Sequence, residues 1–351
     1  MTQRSPAEAF GQTPTSAPST PISPSSSIDS SPRSEAEAIA IVAPVAKKPR
    51  KLLPLVLFVA TVLSVLYAGA NGFSDSPTGF LSWQTVSNGW RFAVPLLAIL
   101  LCHEFGHFFA AKLHGVPSSF PIFLPMPFSP FGTWGAVISM PGRIASRRAL
   151  LDIGAAGPIA GMIVAVPVLL FGLHLSEVKP LSPHGIMEGQ SLLYLLLKRI
   201  VIGPIPPGYD VYLHPMAFAG WAGLFVTMIN LLPFAQLDGG HVAYSLLGER
   251  QDRIAPWIHR LLVPLFLFNL ASNVLSARAH GFPDGWRELA ISNSVFWGAW
   301  FVILAILSRV GGGKHPPTDP GETLDPVRRG VAIACLVLFV LLFMPAPLTM
   351  S

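Results

Sequence analysis

The 351-residue chain is 51% hydrophobic and only 12% charged, with a mean hydropathy of +0.55, about half the charge density of a soluble domain, so it reads as a polytopic membrane protein. Its net charge of +5 follows from basic residues that flank apolar spans, which excludes nucleic acid as a partner. Two cysteines, Cys102 and Cys335, both in apolar segments and without CxxC spacing, exclude a disulfide framework and a thiolate zinc site.

Residues 1–51 carry the run PTSAPSTPISPSSSIDSSP, too poor in apolar side chains to build a core, and are expected to form a disordered Ser/Pro-rich cytoplasmic tail. The tail lacks the charged, apolar and small-residue pattern of a cleavable signal peptide. Seven apolar spans of near-membrane length follow: Leu52 to Ala70, Trp90 to Leu113, Leu151 to Leu173, Met216 to Leu232, Pro256 to Leu275, Ser294 to Leu307 and Gly330 to Met344. The expected fold class is an all-α polytopic membrane protein of about seven transmembrane helices, with a short membrane-associated β-hairpin or loop near the active site.

The second span contains HEFGH, His103 to His107. On a helix, residues i and i+4 share a face about 6 Å apart along the axis, so His103 and His107 can grip one zinc ion, with Glu104 beside it as a candidate base. Charged groups inside a bilayer cost on the order of 2.5 to 3.5 kcal/mol each even on lenient scales, so this cluster is read as functional. The extended zincin pattern does not supply a third ligand: Ala110 and Leu113 stand where Gly and His are needed, and no acid occurs between His107 and Asp152.

After this span, the loop from His114 to Arg148 is rich in Pro and Phe up to Pro130 and then reads TWGAVIS. It is expected to form a short strand or hairpin near the histidines, able to clamp an extended substrate by strand addition, with a membrane-dipping loop as the alternative. Asp152 opens the third span and is read as a helix cap rather than a ligand. Gly154, Gly157 and Gly161 lie at three- and four-residue spacing, which permits close helix packing. The apolar segment from Ser191 to Gly203 is too short to span and is read as an interfacial helix.

The fourth span is broken in NLLPFAQLDGG, Asn230 to Gly240, by Pro233 and a glycine pair. Such a break normally lines a polar cavity, which Asp238 would face. A straight helix from Met216 would carry Asp238 about 33 Å, beyond the hydrocarbon, so the break is expected to hold it at the depth of the histidines. His241 is read as a supporting residue at most and His214 as interfacial. His114, His174, His184, His259, His280 and His315 have no ligand spacing and read as ordinary interface or loop residues.

Lys47, Lys48, Arg50 and Lys51 ahead of the first span predict a cytoplasmic N-terminus. Alternation then places Arg143, Arg147, Arg148, Arg250, Arg253, Arg309, Lys314, Arg328 and Arg329 on the same side, and the second and fourth spans descend together toward it. The expected location is the inner (plasma) membrane of a bacterium.

HExxH in one span and Asn-x-x-Pro-x-x-x-x-Asp-Gly in a later one together resemble the site-2 protease family of intramembrane zinc metalloproteases. GTWGAVISM from Gly132, GAAGPIAG from Gly154 and LHPMAFAGW from Leu213 are similar to its branch with plant chloroplast relatives. The resemblance is good over roughly 90–248 and implies a metalloprotease domain over 52–346. It further implies one zinc ion per chain held by His103, His107 and Asp238, with Glu104 as base and Asn230 stabilising the oxyanion. The implied reaction is hydrolysis of peptide bonds in or near transmembrane segments, regulated intramembrane proteolysis, on a membrane-protein or membrane-bound peptide substrate within the lipid bilayer. A membrane metal-ion carrier would use the same histidines and aspartate but does not require Glu104 directly after His103. A non-catalytic membrane chaperone on the same fold would be expected to lose some of these residues, and all are present.

Overall fold

The computed structural model describes residues 52–73, 79, 82–140, 144–181, 186–310, 318–319 and 321–350. The expected tail, together with Arg143, His184, Lys314 and His315, lies outside these residues. The described chain is mainly helical, with three small two-stranded sheets.

A helix occurs at each of the seven expected spans. Five are long and apolar enough to cross a membrane: α1 (Leu52–Gly72), α2 (Trp83–Leu113), α3 (Arg147–His174) and, later in the chain, a hairpin of two helices, Arg250–Ala279 and Trp286–Val310. The fourth and seventh spans form shorter helices, Pro215–Asn230 and Pro326–Leu342, of 16 and 17 residues. At 1.5 Å per residue these reach only about 24–26 Å.

Helix starts follow local chemistry. Ser82 caps α2 by accepting from the Thr85 amide, and Ser146 caps α3 by accepting from the Ala149 amide. Asp152 therefore lies inside α3 rather than at its cap, which corrects the sequence reading. Its carboxylate instead receives Arg328 through Nε at 2.9 Å and through a terminal nitrogen at 2.7 Å, and His114 Nε2 at 2.8 Å. An apolar run that begins near Leu151 hides a helix start among the preceding arginines.

Between α2 and α3, strands β1 (Ile122–Pro125) and β2 (Thr133–Val137) pair antiparallel, Ile122 opposite Val137 and Phe123 opposite Ala136. The hairpin leans on α1: Ser64 Oγ donates to the Gly132 carbonyl at 2.5 Å, and Phe58 and Phe123 meet edge-on at 5.2 Å. Beyond β1, Phe131 packs among Phe218, Trp221 and Phe225 of the Pro215–Asn230 helix. The strand or hairpin expected from the sequence is thus present, and its segment packs against α1 and the Pro215–Asn230 helix.

β3 (Glu177–Pro180) pairs with β5 (Tyr209–Tyr212), and β4 (Ile186–Glu188) pairs with β6 (Leu348–Met350). Between them α4 (Leu192–Val201) exposes Leu192, Leu195, Leu196 and Ile200 and buries Tyr194 and Lys198, the two-faced pattern of an interfacial helix. Lys198 Nζ lies 3.2 Å from Glu188 and 3.3 Å from Asp210, and the Tyr194 hydroxyl donates to Glu188 at 2.8 Å. β4–β6 pairing joins the end of α3 to the end of the last helix. At the other end Ser146 and Arg147 bind Glu322, and Asp152 binds Arg328. The helices of the third and seventh spans therefore run in the same direction.

The remaining helices are α5 (Pro215–Asn230), α6 (Asp238–Leu247), α7 (Arg250–Ala279), α8 (Trp286–Val310) and α9 (Pro326–Leu342). Phe92, Leu96 and Ile99 of α2, Leu169 of α3 and Trp221, Leu224 and Met228 of α5 form the centre of the core. Trp257, Leu261 and Phe268 of α7 face outward, as a lipid-facing helix requires.

Candidate metal centre

α2 carries His103 and His107 four residues apart, with both rings buried and their Nε2 atoms 3.2 Å apart. The third member arrives through the chain break. α5 ends at Asn230, and the backbone then turns tightly, with the Phe234 amide donating to the Leu232 carbonyl at 2.7 Å and Ala235 in the left-handed region at φ 49°. α6 restarts at Asp238, in its first turn. The glycine pair makes this fold-back possible. A Cβ on Gly239 would stand 1.9 Å from the Leu231 carbonyl oxygen, and one on Gly240 2.2 Å from that of Ala235.

Asp238 Oδ2 consequently lies 3.2 Å from Nε2 of both His103 and His107. Three donor atoms at a common separation of 3.2 Å match the face of a tetrahedron whose centre is about 2.0 Å from each, the bond length of zinc to nitrogen and oxygen. The His107 Nδ1 sits 2.7 Å from the Ile153 carbonyl, which can only accept, so Nδ1 carries a hydrogen and Nε2 is the ring nitrogen that would be left to offer a lone pair to a metal. Convergent lone pairs and a carboxylate oxygen suit a cation, and His103, His107 and Asp238 are the group that could hold one among the described residues.

Two further expected residues reach the same place. Asn230 Nδ2 lies 3.2 Å from His103 Nε2, and Glu104 is buried on the wall of a cavity of about 430 Å³ that also borders the three donors. Ala136, Val137 and Ile138, at and just past the end of β2, form another wall, so the hairpin stands beside the donors. His241 lines the cavity as well, while His214 sits at the start of α5 and accepts from the Met216 amide. Burial and the nearby Arg91 guanidinium hold the His214 imidazole below its ordinary pKa.

The sequence reading missed the part played by α3. A Cβ on Gly157 would fall 2.0 Å from His107 Nε2, one on Gly161 3.2 Å from His103 Nδ1 and one on Gly154 2.9 Å from the His241 Cβ. The glycine spacing was visible, but it does not say which helix approaches. The Ile153 carbonyl gave no signal, because any residue type offers one.

Residues 91–268 match the sequence model of peptidase family M50. Over 223 residues the chain is 31% identical to "probable zinc metalloprotease EGY1, chloroplastic" of Oryza sativa subsp. japonica, covering 56% of this chain and 38% of that protein. Over 182 residues it is 34% identical to the protein of the same name in Arabidopsis thaliana, covering 50% of this chain and 33% of the relative. "Probable zinc metalloprotease EGY2, chloroplastic" of Arabidopsis thaliana is 29% identical over 183 residues, 50% of this chain and 32% of that protein. The matches thus span about a third of the length of these curated relatives.

Proposed function

Because the chain belongs to peptidase family M50, we propose that it is a zinc-dependent intramembrane endopeptidase that hydrolyses peptide bonds in or near transmembrane segments of membrane proteins, with residues 52–346 as its catalytic domain. The observation that carries this reading is the common 3.2 Å separation of His103, His107 and Asp238 beside the buried Glu104. The zinc named in the relatives' descriptions supports the choice of metal.

His103, His107 and Asp238 would hold zinc, which when bound supplies Lewis acidity toward a water and a scissile carbonyl. Glu104, on the cavity wall, takes the proton of the attacking water and returns it to the leaving amine, so that the proton balance closes on one carboxylate. The Asn230 amide, already turned toward His103 Nε2, donates to the oxyanion of the tetrahedral intermediate. The cavity wall formed by β2 and Ile138 aligns an extended substrate by strand addition. A helical substrate must unwind first, because its carbonyls are already hydrogen-bonded, so substrates carry helix-weakening residues near the cut.

The N-terminus is proposed to lie in the cytoplasm on the strength of its basic cluster. The bacterial inner membrane expected from the sequence gains no support from the relatives, whose names place them in the chloroplast. Intramembrane cleavage as a regulated step is likewise part of the proposal.

The test is cleavage of a single-span substrate by purified protein in proteoliposomes, with bound zinc assayed in parallel. Glu104→Gln that keeps zinc and loses cleavage, together with Asp238→Ala that loses both, is the expected result. Wild type that binds zinc and cuts nothing, or Glu104→Gln that still cuts, overturns the protease reading and turns attention to a carrier.

A further inference from the structure

The loop that delivers Asp238 is held by a helix that contributes no donor to the metal group. Gln251, in the first turn of α7 and only 4% exposed, donates its side-chain amide to the Pro233 carbonyl at 2.7 Å. Further along α7 the His259 ring stacks on Phe234 with centroids 5.1 Å apart. His259 Nε2 lies 2.8 Å from the Phe301 carbonyl of α8, and the Phe301 ring stacks on the imidazole at 4.2 Å. Two consecutive loop residues, Pro233 and Phe234, are thereby tied to the α7–α8 hairpin just ahead of Asp238.

The loop needs such ties. Between α5 and α6 the backbone leaves helical register, and Ala235 holds a positive φ that a non-glycine residue keeps only when its surroundings impose it. A carbonyl released from a helix and turned into the protein costs free energy unless it takes a donor. For Pro233 that donor is Gln251.

We propose that Gln251 is a positioning residue for Asp238: by holding the Pro233 carbonyl it fixes the 231–237 turn so that the carboxylate meets both imidazoles. The inference rests on the metal reading above. It gives α7 a role in the metal's third protein contact, although Gln251 borders neither the donors nor the cavity.

The experiment measures the zinc affinity of the purified full chain by competition with a chromogenic chelator, alongside its melting temperature and the visible spectrum of the cobalt-substituted protein. Gln251→Met keeps the length of the side chain and removes the donor. We expect zinc affinity to fall about tenfold and the cobalt spectrum to change, with cleavage recovering as zinc is raised to saturation. Gln251→Asn keeps an amide but is one methylene too short; it is expected to behave alike and replaces the first variant should that fail to fold. Zinc affinity and cobalt spectrum equal to wild type, with or without a lower melting temperature, make Gln251 a packing residue and overturn the proposal. A wild type that holds no zinc overturns the metal reading itself, a distinct outcome.

Discussion

His107 Nδ1 lies 2.7 Å from the carbonyl oxygen of Ile153, a residue 46 positions later in the chain, and this bond determines which ring nitrogen faces Asp238. The orientation depends on α3 lying against α2 without an intervening side chain. Gly157 leaves that space.

Gly157→Ala is therefore expected to push the His107 ring away, since the added Cβ would lie 2.0 Å from Nε2. Zinc affinity should fall by about 10–100-fold, the range found when the support of a ligand is disturbed. Gly72→Ala, at the end of α1 where a Cβ meets nothing within 4 Å, is the comparison and should leave zinc affinity unchanged. Equilibrium zinc titration of both variants checks this.

Asn230→Ala should retain zinc and lose turnover. Removing one preorganised oxyanion donor typically costs about 10²–10³ in kcat, with little change in KM. Steady-state cleavage in proteoliposomes, normalised to bound zinc, separates this outcome from loss of the metal, which would point to a structural part for the contact between the Asn230 side-chain amide and His103.

Lys198→Met should destabilise the fold by about 3 kcal/mol or more, because Glu188 is left as a buried charge without its cation. Adding Glu188→Gln should recover much of the loss. Thermal unfolding in detergent micelles of the single and double variants measures the coupling. Equal melting temperatures for wild type and Lys198→Met would show that the buried pair contributes nothing.

The Asp325 carboxyl is held below its ordinary pKa, first by the side-chain hydrogen bond from Arg328 and then by the Arg328 backbone amide. A depressed folded-state pKa gives stability that is present above the unfolded value, about 3.9, and is lost as pH falls through the folded value. Asp325→Ala should accordingly melt below wild type at neutral pH, with the gap narrowing as the pH drops under about 4. Melting curves between neutral pH and about pH 3 test the sign.

Much of this protein is local and so was visible in the chain itself. The seven helices lie where apolar length predicts them, because in a bilayer each span must satisfy its own backbone hydrogen bonds. His103 and His107 share a face by helical period alone, and the Pro233 and Gly239–Gly240 signals mark a break that has to line something polar. Tertiary structure alone decided how the pieces meet. The period of α2 does not reveal that Gly157 and the Ile153 carbonyl stand against His107, and Gln251 has no motif that ties it to Pro233, 18 residues earlier. The partners of Asp152, Arg328 and His114, likewise come from segments distant in sequence. Hydrophobic length and helical period are one-dimensional properties of a chain, whereas a metal site closes only when separate helices pack, and that contact is written in no single segment.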